Sequence, residues 1–151
     1  MRLWHYAILD YLPKAQLVSQ WRECVCIAKS IHENGTPNHI LVNRIMDYPI
    51  EEFNTYCNLV VRAMLKRGYN ISSQSIEKLE EYIDFRVESI NENKHIFKGW
   101  HDEKYMTVCY WNLYEKRYYA KGNSKLTYDE WHNFCVGMRE CCYGEWEMRR
   151  G

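Results

Sequence analysis

The sequence predicts an all-α fold: a single compact domain, residues 1–151, of about four to five helices packed around the N-terminal segment. Three observations predict it. Apolar residues recur every three to four positions through successive stretches, the spacing that gives a helix one buried stripe. Proline and capping residues stand in front of those stretches and glycines behind them, as helix start and stop signals do. No internal repeat, low-complexity block or Gly/Ser linker divides the chain.

The first helix starts near Pro13, which is tolerated in the first turn because its missing N–H has no partner there anyway. Leu17, Trp21, Val25 and Ala28 form its apolar stripe. Residues 33–38, Glu-Asn-Gly-Thr-Pro-Asn, read as a loop. The short apolar run 39–46 fits a strand or a helical turn equally well, because periodicity cannot separate them over so few residues. Asp47-Tyr48-Pro49 opens the second helix, with Glu51 and Glu52 favouring the dipole of its first turn. Its stripe is Phe53, Tyr56, Cys57, Val60, Met64 and Leu65; Lys66 and Arg67 suit its C-terminal end, and Gly68 stands at C′.

A third helix is predicted over residues 75–92, with Ile76, Leu79, Ile83, Val87 and Ile90 inward and an acidic face in solvent. Phe97-Lys98-Gly99-Trp100 reads as a hinge-like connector, and Asp102 as the cap of a fourth helix running to about Ala120. Tyr105, Val108, Cys109, Asn112, Leu113 and Lys116 line up along it, and Gly122 ends it. Thr127-Tyr128-Asp129-Glu130 is a capping box, which starts a fifth helix through Trp131, Phe134 and Met138. The tail, residues 143–151, is irregular and aromatic.

Composition narrows the class. Hydrophobic residues make up 46% and aromatics 15%, a globular balance rather than a disordered one. No apolar run approaches the roughly 20 residues of a membrane span, and no signal-peptide core follows the N-terminus, so a soluble cytoplasmic protein is expected. The seven cysteines match no zinc spacing and are expected as reduced, mostly buried thiols. The 20 basic and 20 acidic residues cancel, which argues against a strongly basic DNA-coating protein. The cancellation is uneven: Glu77, Glu80, Glu81, Asp84, Glu88 and Glu92 crowd one segment, which any nucleic-acid face must exclude. There is no Walker A loop, GxGxxG, HExxH or GxSxG motif.

The chemistry the residues offer lies at the chain start. If it folds back beside the first helix, the α-amine can meet the Glu23 carboxylate. An α-amine ordinarily titrates near 7.7–8.0, so part of it is neutral and nucleophilic at physiological pH, whereas a lysine needs heavy desolvation to match it. Arg22 and Glu23, adjacent in sequence, point about 100° apart around the helix.

Leu17-Val18-Ser19-Gln20-Trp21-Arg22-Glu23, then His39-Ile40-Leu41-Val42-Asn43, and Met64 through Ile71 (Met-Leu-Lys-Arg-Gly-Tyr-Asn-Ile) together resemble the pyrimidine-dimer DNA glycosylase/AP lyase family of the phage endonuclease V type. The likeness covers roughly the first half of the chain. It implies an N-terminal α-amine that forms a Schiff base at C1′ of a damaged nucleotide, with strand cleavage by β-elimination and no cofactor. Arg2 is large, so Met1 is expected to be retained and to carry the amine; relatives instead begin with a small residue after methionine removal. The resemblance makes Glu23 the catalytic carboxylate, Arg22 a phosphate contact, Gln16 a polar contact, and Arg2, after a one-residue shift, the N-terminal basic residue. Cys26 falls where phage relatives place another DNA-binding arginine, and His39 resembles a family position but reads as a hydrogen-bonded structural residue.

Trp111, Tyr114, Tyr118 and Tyr119 interleave with Lys116, Arg117, Lys121 and Lys125. Stacking rings among cations suit a kinked duplex, so Lys116, Arg117 and Lys121 are taken as DNA-binding by regional analogy. The implied partner is double-stranded damaged DNA and the expected state a monomer. Two other classes fit the residues: a non-catalytic helical nucleic-acid or protein-binding module, and an amine-dependent enzyme acting on a small carbonyl compound.

Overall fold

The N-terminal segment sits in the middle of the helices rather than beside them. The computed structural model describes residues 1–90 and 94–141 (the last two for backbone only) and has five α-helices, four of which, the first, second, fourth and fifth in chain order, reach this segment. The five are α1 (Lys14–Asn34), α2 (Ile50–Lys66), α3 (Ser73–Ile83), α4 (Glu103–Tyr118) and α5 (Tyr128–Cys141). Short 3-10 helices occupy Tyr6–Tyr11, Asn43–Asp47 and Gly122–Ser124, and the described residues contain no strand. The first of these packs on both α2 and α5, while α1 packs on α2 and α3. Leu3, Ile8, Leu9 and Leu12 are buried with Leu17, Ile27, Phe53, Val60, Leu113 and Phe134 in one core.

The expected all-α class holds, and the helix starts follow the local chemistry that predicts them. Pro13 precedes α1, and Gly35, at φ 75°, ends it with its N–H donating to the Ile31 carbonyl at 2.8 Å. Gly68, at φ 77°, follows α2. The Asp102 side chain accepts from the Tyr105 N–H at 2.9 Å to start α4. At α5 both halves of the capping box form: Glu130 N–H donates to Thr127 Oγ1 at 3.1 Å and Thr127 N–H to Glu130 Oε1 at 3.0 Å. The ambiguous run after the first loop is a turn followed by the 3-10 helix Asn43–Asp47, with Val42 and Ile45 buried.

Three expectations need correction. The third helix stops at Ile83, not near residue 92: Asp84 turns left-handed at φ 55°, and Phe85 donates back to the Leu79 carbonyl while its ring enters the core. The chain after it is pinned to α2 by two asparagines. Asn54 Oδ1 accepts from Arg86 N–H at 3.0 Å, Asn58 Oδ1 accepts from Glu88 N–H at 2.9 Å, and Asn58 Nδ2 donates to the Arg86 carbonyl at 2.8 Å. These bonds use the backbone groups a helix would need for itself. Val87 is accordingly exposed.

The second correction concerns the stretch 97–100, which is a packed turn and not a hinge. Phe97 and Trp100 are buried, Glu52 Oε1 accepts the Phe97 N–H at 2.7 Å, and Tyr48 donates to the Lys98 carbonyl at 2.6 Å. Third, Leu65 and Val108 are exposed, and Val25 is only half-buried. The inward positions of α1 are instead Leu17, Gln20, Trp21, Cys24, Ile27 and Ala28, and those of α4 Met106, Cys109, Tyr110 and Leu113. Cys24, Cys26, Cys57, Cys109 and Cys135 are free thiols, with Cys24, Cys57 and Cys109 buried. The predicted irregular tail, 143–151, lies outside the described residues.

Gly137 shows how closely the N-terminal segment and α5 fit. A Cβ there would overlap the Tyr11 side chain near the root of its ring, a part that cannot swing aside. Alanine in a helix interior ordinarily adds about 1 kcal/mol over glycine. Gly137→Ala should instead destabilise the fold by about 1–3 kcal/mol through overpacking, measured as the denaturant midpoint at unchanged m-value.

Candidate active site

Residues 2–4 are held by side chains from three helices. Gln20, buried on α1, donates from Nε2 to the Arg2 carbonyl at 2.9 Å and accepts the Trp4 N–H on Oε1 at 2.8 Å. Tyr56, buried on α2, donates to the Trp4 carbonyl at 2.6 Å, and its oxygen lies 3.0 Å from Gln20 Oε1. Tyr105 on α4 donates to the Leu3 carbonyl at 2.6 Å. Burial pushes both phenols well above their ordinary range, which keeps them protonated and able to donate. The second N–H of Gln20 Nε2 reaches Glu23 Oε2 at 3.2 Å. One amide nitrogen therefore touches both the main chain that follows Met1 and the Glu23 carboxylate.

This clamp sets the mouth of a cavity of about 360 Å3. Its walls come from the N-terminus (Met1, Arg2, Trp4), α1 (Gln16, Ser19, Glu23) and α4 (Asn112, Lys116), with Leu41 from the turn after α1. Positions 16, 19 and 23 are three and four apart, so one face of α1 lines the cavity while Leu17, Gln20, Trp21 and Cys24 face the core. Arg2 donates to Asn112 Oδ1 at 3.4 Å and lies over the Trp4 ring, 5.8 Å from its centroid. The Oε1 of Gln16 is buried with no hydrogen-bond partner among the described residues. Met1, Arg2, Gln16, Glu23 and Lys116 thus line one space of nucleoside size.

Of the residues singled out from the sequence, Met1, Arg2, Gln16, Glu23 and Lys116 meet at this cavity. Arg22 does not line it; it is exposed and donates to the Oγ of Ser19, which does, at 3.2 Å. Arg117 is turned away, donating to the Leu126 carbonyl at 3.1 Å and tying the end of α4 to the segment before α5. Lys121 is exposed beyond the end of α4. Tyr114 and Tyr118 pack against each other at 4.6 Å and against Trp131 of α5, on the side of α4 about 200° from Asn112 and Lys116. Cys26 is exposed on α1, and His39 accepts the Leu41 N–H at 3.2 Å, as a structural histidine does.

Sequence reasoning missed Gln20, Tyr56, Tyr105 and Asn112 as parts of the site. Gln20 alone carried a signal, a polar residue standing inside an apolar stripe between Leu17 and Trp21. The two tyrosines look like ordinary core residues until the N-terminal segment is laid against them.

A family model described as pyrimidine dimer DNA glycosylase matches residues 1–77, just over half of the chain. The chain belongs to the pyrimidine dimer DNA glycosylase family. No curated protein and no solved structure matches it. The matched glycosylase segment contains Met1, Arg2, Gln16, Gln20, Glu23 and Tyr56, whereas Tyr105, Asn112 and Lys116 lie beyond it. Among the described residues there is no His/Cys/Asp/Glu group suited to a metal ion and no helix long and apolar enough to cross a membrane.

Beneath the clamp lie two neutral histidines. His5 Nδ1 accepts the Ala7 N–H at 3.1 Å and His101 Nδ1 accepts the Tyr6 N–H at 3.0 Å, with the rings stacked at 5.2 Å. Burial is the main cause that lowers both, His5 to about 4 against the attraction of Asp102 and His101 well below its usual range with Arg44 adding to the effect. Between pH 6.5 and 4 the unfolded chain binds protons that the fold refuses, so stability must fall as pH drops through that window. His5 alone accounts for roughly 3 kcal/mol at the acid end. His5→Asn, which keeps an acceptor for Ala7 and cannot titrate, should flatten the fall in a series of urea melts.

The clamp makes its own prediction. Gln20→Leu leaves the Trp4 N–H buried and unpaired, at about 1–3 kcal/mol, and removes the donor to the partly buried Arg2 carbonyl at a smaller cost. Tyr56→Phe removes one donor and should cost about 1 kcal/mol. Amide exchange at Trp4 should rise by orders of magnitude in Gln20→Leu while exchange in the middle of α2 rises only by the global loss.

Proposed function

We propose that the protein is a DNA glycosylase with AP-lyase activity, acting on UV-damaged or abasic double-stranded DNA through the α-amine of Met1. The observation that carries this reading is the cavity shared by Met1 and Glu23, with Gln20 bridging the Arg2 carbonyl and the Glu23 carboxylate. Family membership supports the glycosylase step, and the cations at the rim support a phosphate-bearing ligand.

The neutral amine attacks C1′ of the target nucleotide as the glycosidic bond breaks, and the base leaves with the bonding pair. Positive charge develops on the sugar, where the Glu23 carboxylate stabilises it. Loss of a proton from nitrogen and opening of the sugar ring give an imine between Met1 and C1′. Glu23 then assists removal of a proton from C2′, the C3′–O bond breaks, and the strand is cut 3′ to the site with the phosphate as leaving group. Water releases the amine. Arg2 and Lys116 hold the flanking phosphates, Gln16 lines the wall the nucleotide would meet, and Arg22 contacts the backbone from outside the rim. No step calls for a metal or an organic cofactor.

Protein with a free Met1 amine, incubated with an abasic-site duplex and borohydride, should form a covalent adduct, and acetylation of the N-terminus should abolish it. Binding without an adduct would mark a non-catalytic DNA-binding module instead. Glu23→Gln should slow strand cleavage by about 10²–10⁴-fold, followed as single-turnover product on a gel. Wild-type turnover in that variant would remove Glu23 from the mechanism.

A further inference from the structure

The turn between α1 and α2 carries two consecutive apolar side chains that the core does not use. Ile40 is 85% exposed, the highest value among the large hydrophobics of the described residues, and Leu41 is 47% exposed. Their neighbours Val42 and Ile45 are buried, so the turn is rooted in the core while its tip is not.

The tip is also held in shape. Asn38 adopts φ 58°, the His39 carbonyl accepts from both Val42 and Asn43 at 3.0 and 2.9 Å, and Asn43 Oδ1 accepts the His39 N–H at 2.9 Å. His39 Nδ1 accepts the Leu41 N–H at 3.2 Å. Leaving an isoleucine in water forgoes the stabilisation that its burial would bring. A single exposed apolar residue needs no explanation. Here, however, two stand side by side on a braced turn, and Leu41 forms part of the wall shared with Met1 and Glu23.

We propose that Ile40 and Leu41 form a wedge that enters the base stack of duplex DNA beside the target nucleotide. This rests on the glycosylase/lyase reading of the adjoining cavity. A target inside a duplex keeps its C1′ away from any protein nucleophile, and exposing it costs the stacking of that nucleotide. Apolar side chains between base steps offset that cost by covering the faces laid bare, and they kink the duplex. Leu41 at the cavity wall and Ile40 at the tip place the apolar surface next to the space the displaced nucleotide would enter. The wedge acts on the stack and not on the bond, so its contribution belongs to duplex substrates only.

Ile40→Ser tests this, since the side chain is exposed and its loss leaves the core intact. Borohydride trapping rates are compared on one abasic site presented in a full duplex and in a single strand, with 2-aminopurine beside the site reporting unstacking. The wedge predicts about a tenfold slower rate on the duplex, ~1.4 kcal/mol, with the single-strand rate within twofold of wild type. The 2-aminopurine fluorescence rise seen on wild-type binding should be lost. Equal loss on both substrates, or no loss on either, overturns the wedge and leaves the lyase standing. Failure of the wild-type protein to trap either substrate overturns the parent reading and the wedge with it.

Discussion

The site depends on one constraint, the grip of Gln20, Tyr56 and Tyr105 on the main chain of residues 2–4. A chain terminus left to itself frays, because each ordered residue loses about 1–2 kcal/mol of backbone entropy. Here Leu3 is fully buried and Trp4 nearly so, and the polar groups of the segment are bonded to side chains reaching in from α1, α2 and α4. The apolar burial supplies the favourable energy and the hydrogen bonds set the register. Neither would do alone: burial fixes no register, and hydrogen bonds in water contribute little net energy.

The groups that build this frame are buried in states that cannot easily change. The phenols of Tyr56 and Tyr105 stay protonated and donate, and the rings of His5 and His101 stay neutral and accept. The charged side chains at the cavity are Arg2, Lys116 and Glu23, beside this neutral frame. The zero net charge of the whole chain says nothing about this local arrangement. Glu77, Glu80, Glu81 and Asp84 are exposed on and after α3, which contributes no wall to the cavity. Segregation of this kind lets a neutral protein present a mixed but cation-bearing pocket to a polyanion.

Much of the fold was legible because it is local. Pro13, Asp102, the Thr127–Glu130 box and the glycines at 35 and 68 act on groups a few residues away, and each does in the structure what its chemistry implies. The errors came where distant residues outvote local preference. The pattern Ile83, Val87, Ile90 favours a helix past residue 83, yet Asn54 and Asn58 on α2 capture the backbone of Arg86 and Glu88 and hold it out of one. The run 97–100 looked like a connector because its glycine was visible and the anchoring by Glu52 and Tyr48 was not. In the cavity the same division holds. Glu23 and Gln16, singled out through the family resemblance, do line the cavity, but Arg117, singled out by regional analogy, is held by the Leu126 carbonyl.

The family match ends at residue 77, and the walls of the cavity do not. Met1, Glu23 and the Gln20 bridge all fall in the matched half, so the groups that would make and break bonds travel together in sequence. The α4 residues Tyr105, Asn112 and Lys116 complete the clamp and rim from the other half. Such a division has a physical logic. In the proposed mechanism an amine and a carboxylate must keep a close separation. The Gln20 amide, bonded to both the Arg2 carbonyl and Glu23, makes a short link between the two segments that carry them. A phosphate can be met from several directions by long cationic side chains, so the element that carries them needs only to be near. On the proposed mechanism, change at Asn112 or Lys116 would then alter how a duplex is held, whereas change at Tyr105 would loosen the clamp itself.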